Sequence, residues 1–272
     1  MGDGMEQFEF FGNESQINLQ QRYYRLWQYL KAHPRLSFVG RAIGVDDPAL
    51  NEVGDLAGLT MELGLLTMAF TKATIVDELR SVLEEYGLKV GFWQHLMSNE
   101  KTESRCNSVV ASFNLPTGYK IERITAATPH HQLRSFQKLM QVCDVAPLPG
   151  YILRGQEVPT IAEMVISPQD EIVATGVSIF RHNPEGSYGK AAHVGFLATE
   201  PSQRGKGLAR LLLARVILAS YQEYAAELLH TGVRADNIPS QRVCRNCGLE
   251  ESGMYFLGVV YPPVLEQEAF TR

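Results

Sequence analysis

The chain has little of what defines several common protein classes. Basic residues are not in excess, because 25 Lys and Arg stand against 30 Asp and Glu, for a net charge of −5. Few positive charges are therefore available to neutralise phosphates, and we expect no nucleic-acid partner. No uninterrupted apolar run approaches the roughly 18 residues that a membrane span needs. We therefore expect no membrane partner.

Cysteine is also scarce. Four cysteines in 272 residues do not make a disulfide framework. The N-terminal segment, from Met1 to Phe11, is acidic and lacks the basic region of a secretory signal peptide. Together these absences predict a protein of the reducing cytoplasm.

The length suits two domains of roughly 100–150 residues each. In the first part, apolar spacing and breaker residues predict several elements. They are a helix over 17–32, strands over 36–43 and 56–66, a helix over 74–86, a strand over 90–96 and a surface loop over 98–107. We expect a smaller N-terminal α/β domain over residues 1–117.

A second series of elements follows residue 117. Strands are predicted over 121–124, 161–166, 172–180, 193–199, 228–233 and 255–261, with helices over 129–142, 208–224 and 238–246. This order indicates an α/β (mixed α+β) domain over 118–272, with a central sheet that is mostly antiparallel and is flanked by helices.

The most informative stretch is His193–Ala209, a predicted strand that leads through a glycine-rich turn into a helix. Such a junction directs backbone N–H groups at one point, where they can bind phosphate. A P-loop is excluded because Glu200 stands where that pattern has its first glycine. A dinucleotide fingerprint is poorly matched because Arg210 holds the place of its third glycine.

The junction resembles the acetyl-CoA signature of the GCN5-related N-acetyltransferases (GNAT), R/Q-x-x-G-x-G/A, which it matches with Arg204, Gly207 and Ala209. A second family pattern follows at the right distance, as Asn237-x-x-Ser240 and then Gly248-Leu249. The resemblance covers about residues 119–262 and implies an N-acetyltransferase that uses acetyl-CoA as cosubstrate.

The resemblance also implies which residues hold the cosubstrate. The backbone of Leu197, Ala198 and Thr199 would pair with the pantetheine arm, and Asn237 matches a polar position near it. Backbone amides of Arg204, Gly205, Lys206, Gly207, Leu208 and Ala209 would hold the pyrophosphate. The side chains of Arg204 and Lys206 either add positive charge or are simply solvated.

Acetyl transfer to an amine needs a base, because such an amine is mostly protonated at neutral pH. His193 begins the strand that leads to the junction, at the position where histone-acetylating relatives have a Glu, and is our candidate. A backbone-bonded histidine at a strand end is the alternative. Glu163, on a neighbouring strand, is a secondary candidate, with an exposed strand residue as the alternative.

The departing thiolate also needs a proton, and here the chain departs from the family, which has a Tyr where Cys244 stands. Cys244 could donate the proton or could be a packed apolar residue. Tyr255, Tyr261 or water could serve instead. Cys244 and Cys247 form a C-x-x-C, but without a second pair or a suitably spaced His we expect no metal site.

Further expectations concern the surroundings of the site, the N-terminal domain and the protein as a whole. Tyr151 and Arg154 could touch the acceptor, and His130-His131 is an exposed helix start. The N-terminal domain is either a degenerate second copy of the fold that cannot hold CoA or an unrelated cap. We expect a monomer or homodimer. The whole is either an N-acetyltransferase with direct attack in a ternary complex or a non-catalytic acyl-CoA-binding or regulatory protein of the same fold.

Overall fold

The computed structural model describes residues 8–263. Residues 1–7, which make up most of the segment considered for a signal peptide, lie outside the described part of the chain, as do residues 264–272. The start of the first predicted domain and the end of the second are therefore not described. The helices within them are α1 Glu14–Leu30, α2 Val53–Leu63, α3 Ala73–Glu85, α4 Thr102–Ser112, α5 His130–Val142, α6 Gly150–Leu153, α7 Leu208–Tyr224 and α8 Ile238–Asn246. None of these is long and apolar enough to cross a bilayer.

The strands of residues 8–263 are β1 Leu36–Phe38, β2 Ile43–Val45, β3 Leu65–Lys72, β4 Lys89–Met97, β5 Lys120–Arg123, β6 Thr160–Ile166, β7 Ile172–Ile179, β8 Ala191–Thr199, β9 Leu228–Val233 and β10 Glu250–Val260. They join into one sheet in the order β1-β2-β3-β10-β4-β9-β8-β7-β6-β5. All neighbours are antiparallel except the pairs β2/β3 and β8/β9. The mixed, mostly antiparallel α/β architecture predicted from the sequence is confirmed.

Each half of the chain inserts one strand between strands of the other half. β10 lies between β3 and β4, and β4 lies between β10 and β9. The N-terminal run β2-α2-β3-α3-β4 repeats the order of the C-terminal run β8-α7-β9-α8-β10, with a parallel strand pair joined by a helix in each. One sheet thus continues across residue 117, and the division of the chain there remains a prediction.

Helices cover both faces of the sheet. One apolar core packs α1 and α5 against strands of both halves, with Tyr23, Phe136 and Leu257 fully buried. On the other face, α7 packs its buried Leu213 and Ile217 with Leu96 and Leu229 of the strands below. This layering is what holds the turn before α7 at a fixed place on the sheet.

Three local predictions need correction. The segment predicted as a strand over 56–66 is mostly the helix α2, which ends where Gly64 takes a left-handed conformation at φ +86°. The segment predicted as a loop over 98–107 contains the start of α4, which buries Thr102 and Cys106. The strand predicted over 36–43 is interrupted, because the chain turns between β1 and β2.

Candidate functional site

A cavity of about 850 Å³ lies where β8 and β9 separate. The two strands pair only between Ala191–His193 and Leu228–His230. Beyond that point they diverge, and Thr199 and Val233 both line the cavity. The gap between the strands is therefore open to a ligand that lies along them.

A β-bulge shapes the strand at this gap. Val177 of β7 faces Gly195, whereas Thr175 faces Ala198, so one residue of β7 stands opposite two of β8. Phe196 adopts φ +50°, in the left-handed region that an aromatic residue rarely enters. A bulge bends its strand and leaves a residue outside the ladder. It thereby turns the backbone of Phe196 and Leu197 towards the cavity, which both residues line.

The turn before α7 is a cradle of amide donors, formed by residues 205–210. Gly205 and Gly207 both adopt left-handed conformations, at φ +81° and +79°, and α7 begins at Leu208. None of the six amides from Gly205 to Arg210, all within the described chain, donates to a backbone or side-chain acceptor. All six residues line the cavity. Six such donors at a helix N-terminus are suited to bind a phosphate group.

The side chains near the cradle have local partners. Arg204 Nε donates to the Thr199 carbonyl oxygen at 3.2 Å, and Lys206 Nζ donates to Gln203 Oε1 at 2.7 Å. Asn237 lines the cavity and caps α8, because its Oδ1 accepts from the Ser240 N–H at 3.1 Å. The cradle therefore acts first through its backbone, with these side chains beside it.

Not every predicted cosubstrate residue faces the cavity. Leu197, Thr199, all residues from Arg204 to Ala209, and Asn237 do. Ala198 does not line it, and its N–H donates to Thr175 Oγ1 at 3.2 Å. That amide is consequently already paired, and the bulge at Leu197 is the better placed source of a backbone contact.

His193 is brought to the inner end of the cavity. Its ring lies 5.4 Å from the Phe196 ring and 5.8 Å from the Phe256 ring, and its Nδ1 is buried without a hydrogen-bond partner. Burial lowers the pKa of His193 well below its usual value of 6.5, and the positive charge of Arg181 lowers it further. The imidazole is therefore neutral at pH 7 and a weak base.

The two candidate proton donors differ in position. Cys244 lines the cavity, but burial raises the pKa of its thiol to about 12. Giving a proton from there to a thiolate of pKa about 8.5 costs about 5 kcal/mol. Tyr255 does not line the cavity and packs against Phe92 instead. The alternation of β10 places its neighbour Phe256 at the cavity instead, so the role of Tyr255 stays a prediction that the position of its side chain does not support.

The sequence patterns did not predict a row of buried histidines that are hydrogen-bonded to one another. His95 Nε2 lies 2.9 Å from His230 Nδ1, and His230 Nε2 lies 3.1 Å from His182 Nε2. At one end His182 Nδ1 meets Asp46 Oδ1 at 2.8 Å, and at the other His95 Nδ1 meets Ser252 Oγ at 3.2 Å. The ring of His193 lies 5.1 Å from that of His230, so the candidate base adjoins this row.

The N-terminal half supplies the inner wall of the cavity. Arg41 and Ala42 from the turn between β1 and β2, and Thr67 from β3, line it. Tyr151 and Arg154 do not: Tyr151 is buried in the core, and Arg154 is paired with Glu9 at 2.7 Å. The expectation that these two residues touch the acceptor is thus wrong.

Glu163, the secondary candidate base, lies under α7 and does not line the cavity. It is 1% exposed and accepts from Arg123 Nη2 at 3.0 Å and from Arg215 Nε at 2.6 Å. Two cations hold the carboxylate as a structural ion pair. It has no access to a substrate.

We expect Glu163→Gln to lower the free energy of unfolding by roughly 2–4 kcal/mol, because Arg215 loses its buried counter-charge and Arg123 keeps only the more exposed carboxylate of Glu223. Glu227→Gln is the matched control, since Glu227 pairs with Lys190 on the surface and should cost less than about 1 kcal/mol. Urea unfolding of both variants measures the difference. Equal losses would show that the buried pair contributes no more than a surface pair.

Among the described residues, no group of three or more His, Cys, Asp or Glu is arranged to hold a metal ion. The four cysteines are all free thiols, and Cys244 and Cys247 are both buried. The C-x-x-C is accordingly part of the packing under α7 and α8.

Comparison with known proteins identifies relatives of this architecture. Residues 133–249 match the profile of the acetyltransferase (GNAT) family. No curated protein sequence matches the chain. A GCN5-related N-acetyltransferase from Kribbella flavida has a similar structure, with a TM-score of 0.53, 12% identity, and coverage of 90% of this chain and 95% of its own.

A tandem GNAT protein from the clavulanic acid biosynthesis pathway is also similar. Its TM-score is 0.54 at 14% identity, and the match covers 80% of this chain and 74% of that one. At these identities the likeness is one of fold. It includes a protein in which the fold occurs twice, as the repeated order of elements suggests here.

Proposed function

We propose that this protein is an N-acetyltransferase, because residues 133–249 match the profile of the acetyltransferase (GNAT) family, whose members are in general acyltransferases. It moves an acetyl group from acetyl-CoA to an amine by direct attack in a ternary complex. The observation that carries the proposal is the cradle of six unpaired amides at the open end of a gap between parallel strands. We propose that it acts in the cytoplasm.

The cavity fits the two parts of the cosubstrate separately. The pyrophosphate would accept hydrogen bonds from the cradle, where Gly205 and Gly207 expose the backbone without side chains in the way. The pantetheine arm would lie along the gap between Thr199 and Val233, towards Asn237. This arrangement brings the thioester to the bulge at Leu197, close to His193.

Few groups of the protein are available to carry out the acetyl transfer. A backbone N–H at the bulge polarises the thioester carbonyl in place of the paired amide of Ala198. His193 accepts the proton of the acceptor amine, directly or through water, since its imidazole is neutral. The thiolate leaves unprotonated and equilibrates with bulk solvent, because the Cys244 thiol, with its pKa raised to about 12, is a weaker acid than the thiol that would form.

A specific observation favours the second candidate, a non-catalytic acyl-CoA-binding or regulatory protein. The pKa of His193 is shifted down and that of Cys244 is shifted up, so each is a poor partner for proton transfer. The cradle would be retained in such a protein, and only turnover would be absent. Turnover therefore separates the two functions.

The test is release of free thiol from acetyl-CoA across a panel of amines. We expect His193→Ala to lower kcat/KM by about 100-fold or more with an unchanged Kd for CoA. His131→Ala, at the exposed start of α5, is the control and should match the wild type. Tight CoA binding without turnover on any acceptor would overturn the enzyme and leave the binding protein.

A further inference from the structure

An aromatic wall, made of Phe196, Phe256 and Trp93, encloses the inner end of the cavity. All three side chains line the cavity, and none of these residues is fully buried, so each keeps accessible surface. Trp93 and Phe256 are register partners on β4 and β10, and their ring centres lie 6.1 Å apart at an angle of 83°. Three apolar residues of the N-terminal half continue this side of the cavity: Val39, Ala42 and Leu65. The inner end is therefore suited to bury apolar and aromatic surface.

A glycine of β9 makes room for this wall. Gly232 lines the cavity, and a Cβ atom there would lie 3.1 Å from Phe256 Cβ and 3.3 Å from Trp93 Cβ. Both contacts are tight, so a side chain at position 232 would push the two rings aside. Glycine is what lets the rings stand side by side at the cavity.

The aromatic wall adjoins the candidate base. The ring centre of His193 lies 5.4 Å from that of Phe196 and 5.8 Å from that of Phe256. An acceptor nitrogen held at the imidazole therefore places its substituent among these rings. The pantetheine arm does not compete for this space, because we place it along the gap between Thr199 and Val233.

Two arginines pack against the rings of the wall. The guanidinium carbon of Arg181 lies 5.7 Å from the centre of the Phe256 ring, and its Nη2 donates to Thr67 Oγ1 at 2.8 Å. The guanidinium carbon of Arg41 lies 6.0 Å from the centre of the Phe196 ring. Contacts of this kind hold a ring in place. We therefore assign both arginines to the wall rather than to an anionic ligand.

A protonated amine is disfavoured at this end of the cavity. Among the described residues, the acids that line the cavity are limited to Asp144, and Cys143 beside it donates from Sγ to the Thr199 carbonyl oxygen at 3.3 Å, towards the cradle. Burial and then the charge of Arg181 hold the pKa of His193 well below 6.5, and the same surroundings act on an ammonium group placed against it. A buried cation without an anionic partner is costly. An amine that is uncharged at pH 7 avoids this cost.

We propose that the acceptor is an aromatic amine that is uncharged at neutral pH, with its ring against Phe196, Phe256 and Trp93 and its nitrogen at His193. This proposal rests on the proposed function and names its substrate class. The wall favours a ring, and the described lining residues offer no carboxylate beside His193 to hold an ammonium group. An aromatic amine delocalises its lone pair into the ring and stays neutral, whereas an alkylamine of pKa roughly 10.4 must first lose a proton.

The transfer balances without a further reactant. The neutral nitrogen attacks the thioester carbon, so that the C–N bond forms and the C–S bond breaks. The nitrogen loses its proton to His193 or to water, and the thiolate leaves and equilibrates with solvent. A weak base is sufficient, because the nitrogen becomes strongly acidic once it has attacked. The products are an N-acetylated aromatic amine and CoA.

The first test compares four amines that separate the ring from the charge. Aniline has a ring and is neutral at pH 7, benzylamine has a ring and is charged, trifluoroethylamine is neutral without a ring, and cyclohexylamine is charged and has no aromatic ring. Thiol release from acetyl-CoA by the full-length protein should give a kcat/KM for aniline at least about 30-fold above that for cyclohexylamine, with the other two below aniline. A value for any of the three that equals or exceeds that for aniline would overturn the proposal.

Variants locate the effect at the wall. Phe256→Ala should raise the KM for aniline by about 10-fold or more with an unchanged Kd for CoA, and Phe256→Leu, which keeps apolar volume without the ring, should lie between. Phe196→Ala, on the other side of His193, should give the same shift independently. Phe92→Ala is the matched control, since Phe92 of β4 packs against Tyr255 and does not line the cavity. An unchanged KM for aniline in both alanine variants of the wall would contradict the assignment.

The choice of acyl donor tests whether the wall holds a longer acyl group instead. We expect acetyl-CoA to exceed hexanoyl-CoA by at least about 10-fold in kcat/KM with aniline, because a longer chain would overfill the space of the acceptor ring. A preference for hexanoyl-CoA that Phe256→Ala removes would place the acyl chain at the wall and defeat the proposal.

A binding measurement separates this proposal from the proposed function. Calorimetric titration of aniline into the complex with CoA should show saturable binding that Phe256→Ala weakens at least about 10-fold, whether or not turnover occurs. Saturable binding without turnover would support the aromatic site and defeat the transferase. Turnover of alkylamines without a preference for aniline would keep the transferase and defeat the aromatic site. Neither binding nor preference would also defeat the aromatic site.

Discussion

Lowering the pH from 7 to 5 is expected to reduce the free energy of unfolding by roughly 7 kcal/mol. The cause is the buried cluster of His95, His182, His193 and His230 at the junction of the two halves. Burial lowers the pKa of each below 6.5, and for His95 to about 3. The sheet register sets this cluster, because His193 of β8 stands opposite His230 of β9.

The direction of the effect follows from proton uptake. Below pH 6.5 these histidines ionise in the unfolded chain but stay neutral in the folded one, so the unfolded state binds more protons and stability falls as pH falls. Arg41 and Arg181 oppose protonation in the fold, whereas Asp46 favours it at His182 alone. Each fully shifted histidine adds about 1.4 kcal/mol per pH unit. Model carboxyl groups have pKa values of about 4, below this window, so the histidines dominate it.

Urea unfolding at half-unit pH steps measures the slope. We expect His95→Gln to reduce the loss between pH 7 and 5 by about a quarter, since one of four titrating groups is removed. His33→Gln, on the surface, should leave the loss unchanged. A free energy of unfolding that stays level to pH 5 would contradict the assignment of these four histidines as buried and neutral.

Local patterns were sufficient for the cradle and the elements around it. The predicted helix over 208–224, strand over 228–233 and helix over 238–246 have the observed bounds of α7, β9 and α8. Each is a strongly periodic segment with a clear start and stop signal, and such segments are the ones most readily predicted from sequence. The turn of Gly205 and Gly207 is equally local.

The misread elements have physical explanations. In α2 the apolar run near its end continues into β3, and a short apolar run does not distinguish a helix from a strand. Its buried residues Leu56, Thr60 and Leu63 follow helical spacing, and Gly64 ends it. In α4 only Thr102 and Cys106 are buried, so a mostly solvated helix resembled a polar loop.

The residues of the inner wall of the site are brought together by contacts between distant parts of the chain. No local sequence pattern predicts such contacts. His95 reaches His230 because β4 of the N-terminal half is inserted beside β9. Arg181 meets Thr67 because the segment after β7 bridges to β1, where the Phe38 N–H donates to the Arg181 carbonyl oxygen, on the side of the sheet that contains β3. A signal existed, since four of the seven histidines are in or next to strands. Their convergence required the strand exchange.

The N-terminal half repeats the order of elements but not the cradle. Its corresponding junction between β2 and α2, residues 46–53, contains Asp46, Asp47 and Glu52 and no glycine. Three acids repel phosphate, and without glycine the backbone lacks the conformations seen at Gly205 and Gly207. We therefore propose that only the C-terminal half holds CoA.

Replacing Gly205 by Val should raise the Kd for CoA by at least about 30-fold, equivalent to about 2 kcal/mol. Gly205 has φ +81° and open space at its Cβ position, so the new side chain would project into the cavity and force the turn out of its left-handed conformation. The amides of the cradle would no longer converge on one phosphate. Two lost charge-assisted hydrogen bonds are enough for this effect.

Gly253→Val is the matched control. Gly253 also has φ +72° and open space at its Cβ position, but it lies in β10 away from the cavity. Both variants therefore incur the same kind of backbone strain, of roughly 1–2 kcal/mol. Similar losses in urea unfolding for the two would show that any difference in CoA affinity comes from the cradle.

The central claim is one acyl-CoA site, made by the backbone of the turn before α7. Calorimetric titration of CoA into the wild type and these two glycine variants tests it most directly. The prediction is one equivalent per chain with the same Kd for the wild type and Gly253→Val, and a Kd at least about 30-fold higher for Gly205→Val. Two equivalents per chain, or an unchanged Kd in Gly205→Val, would contradict it.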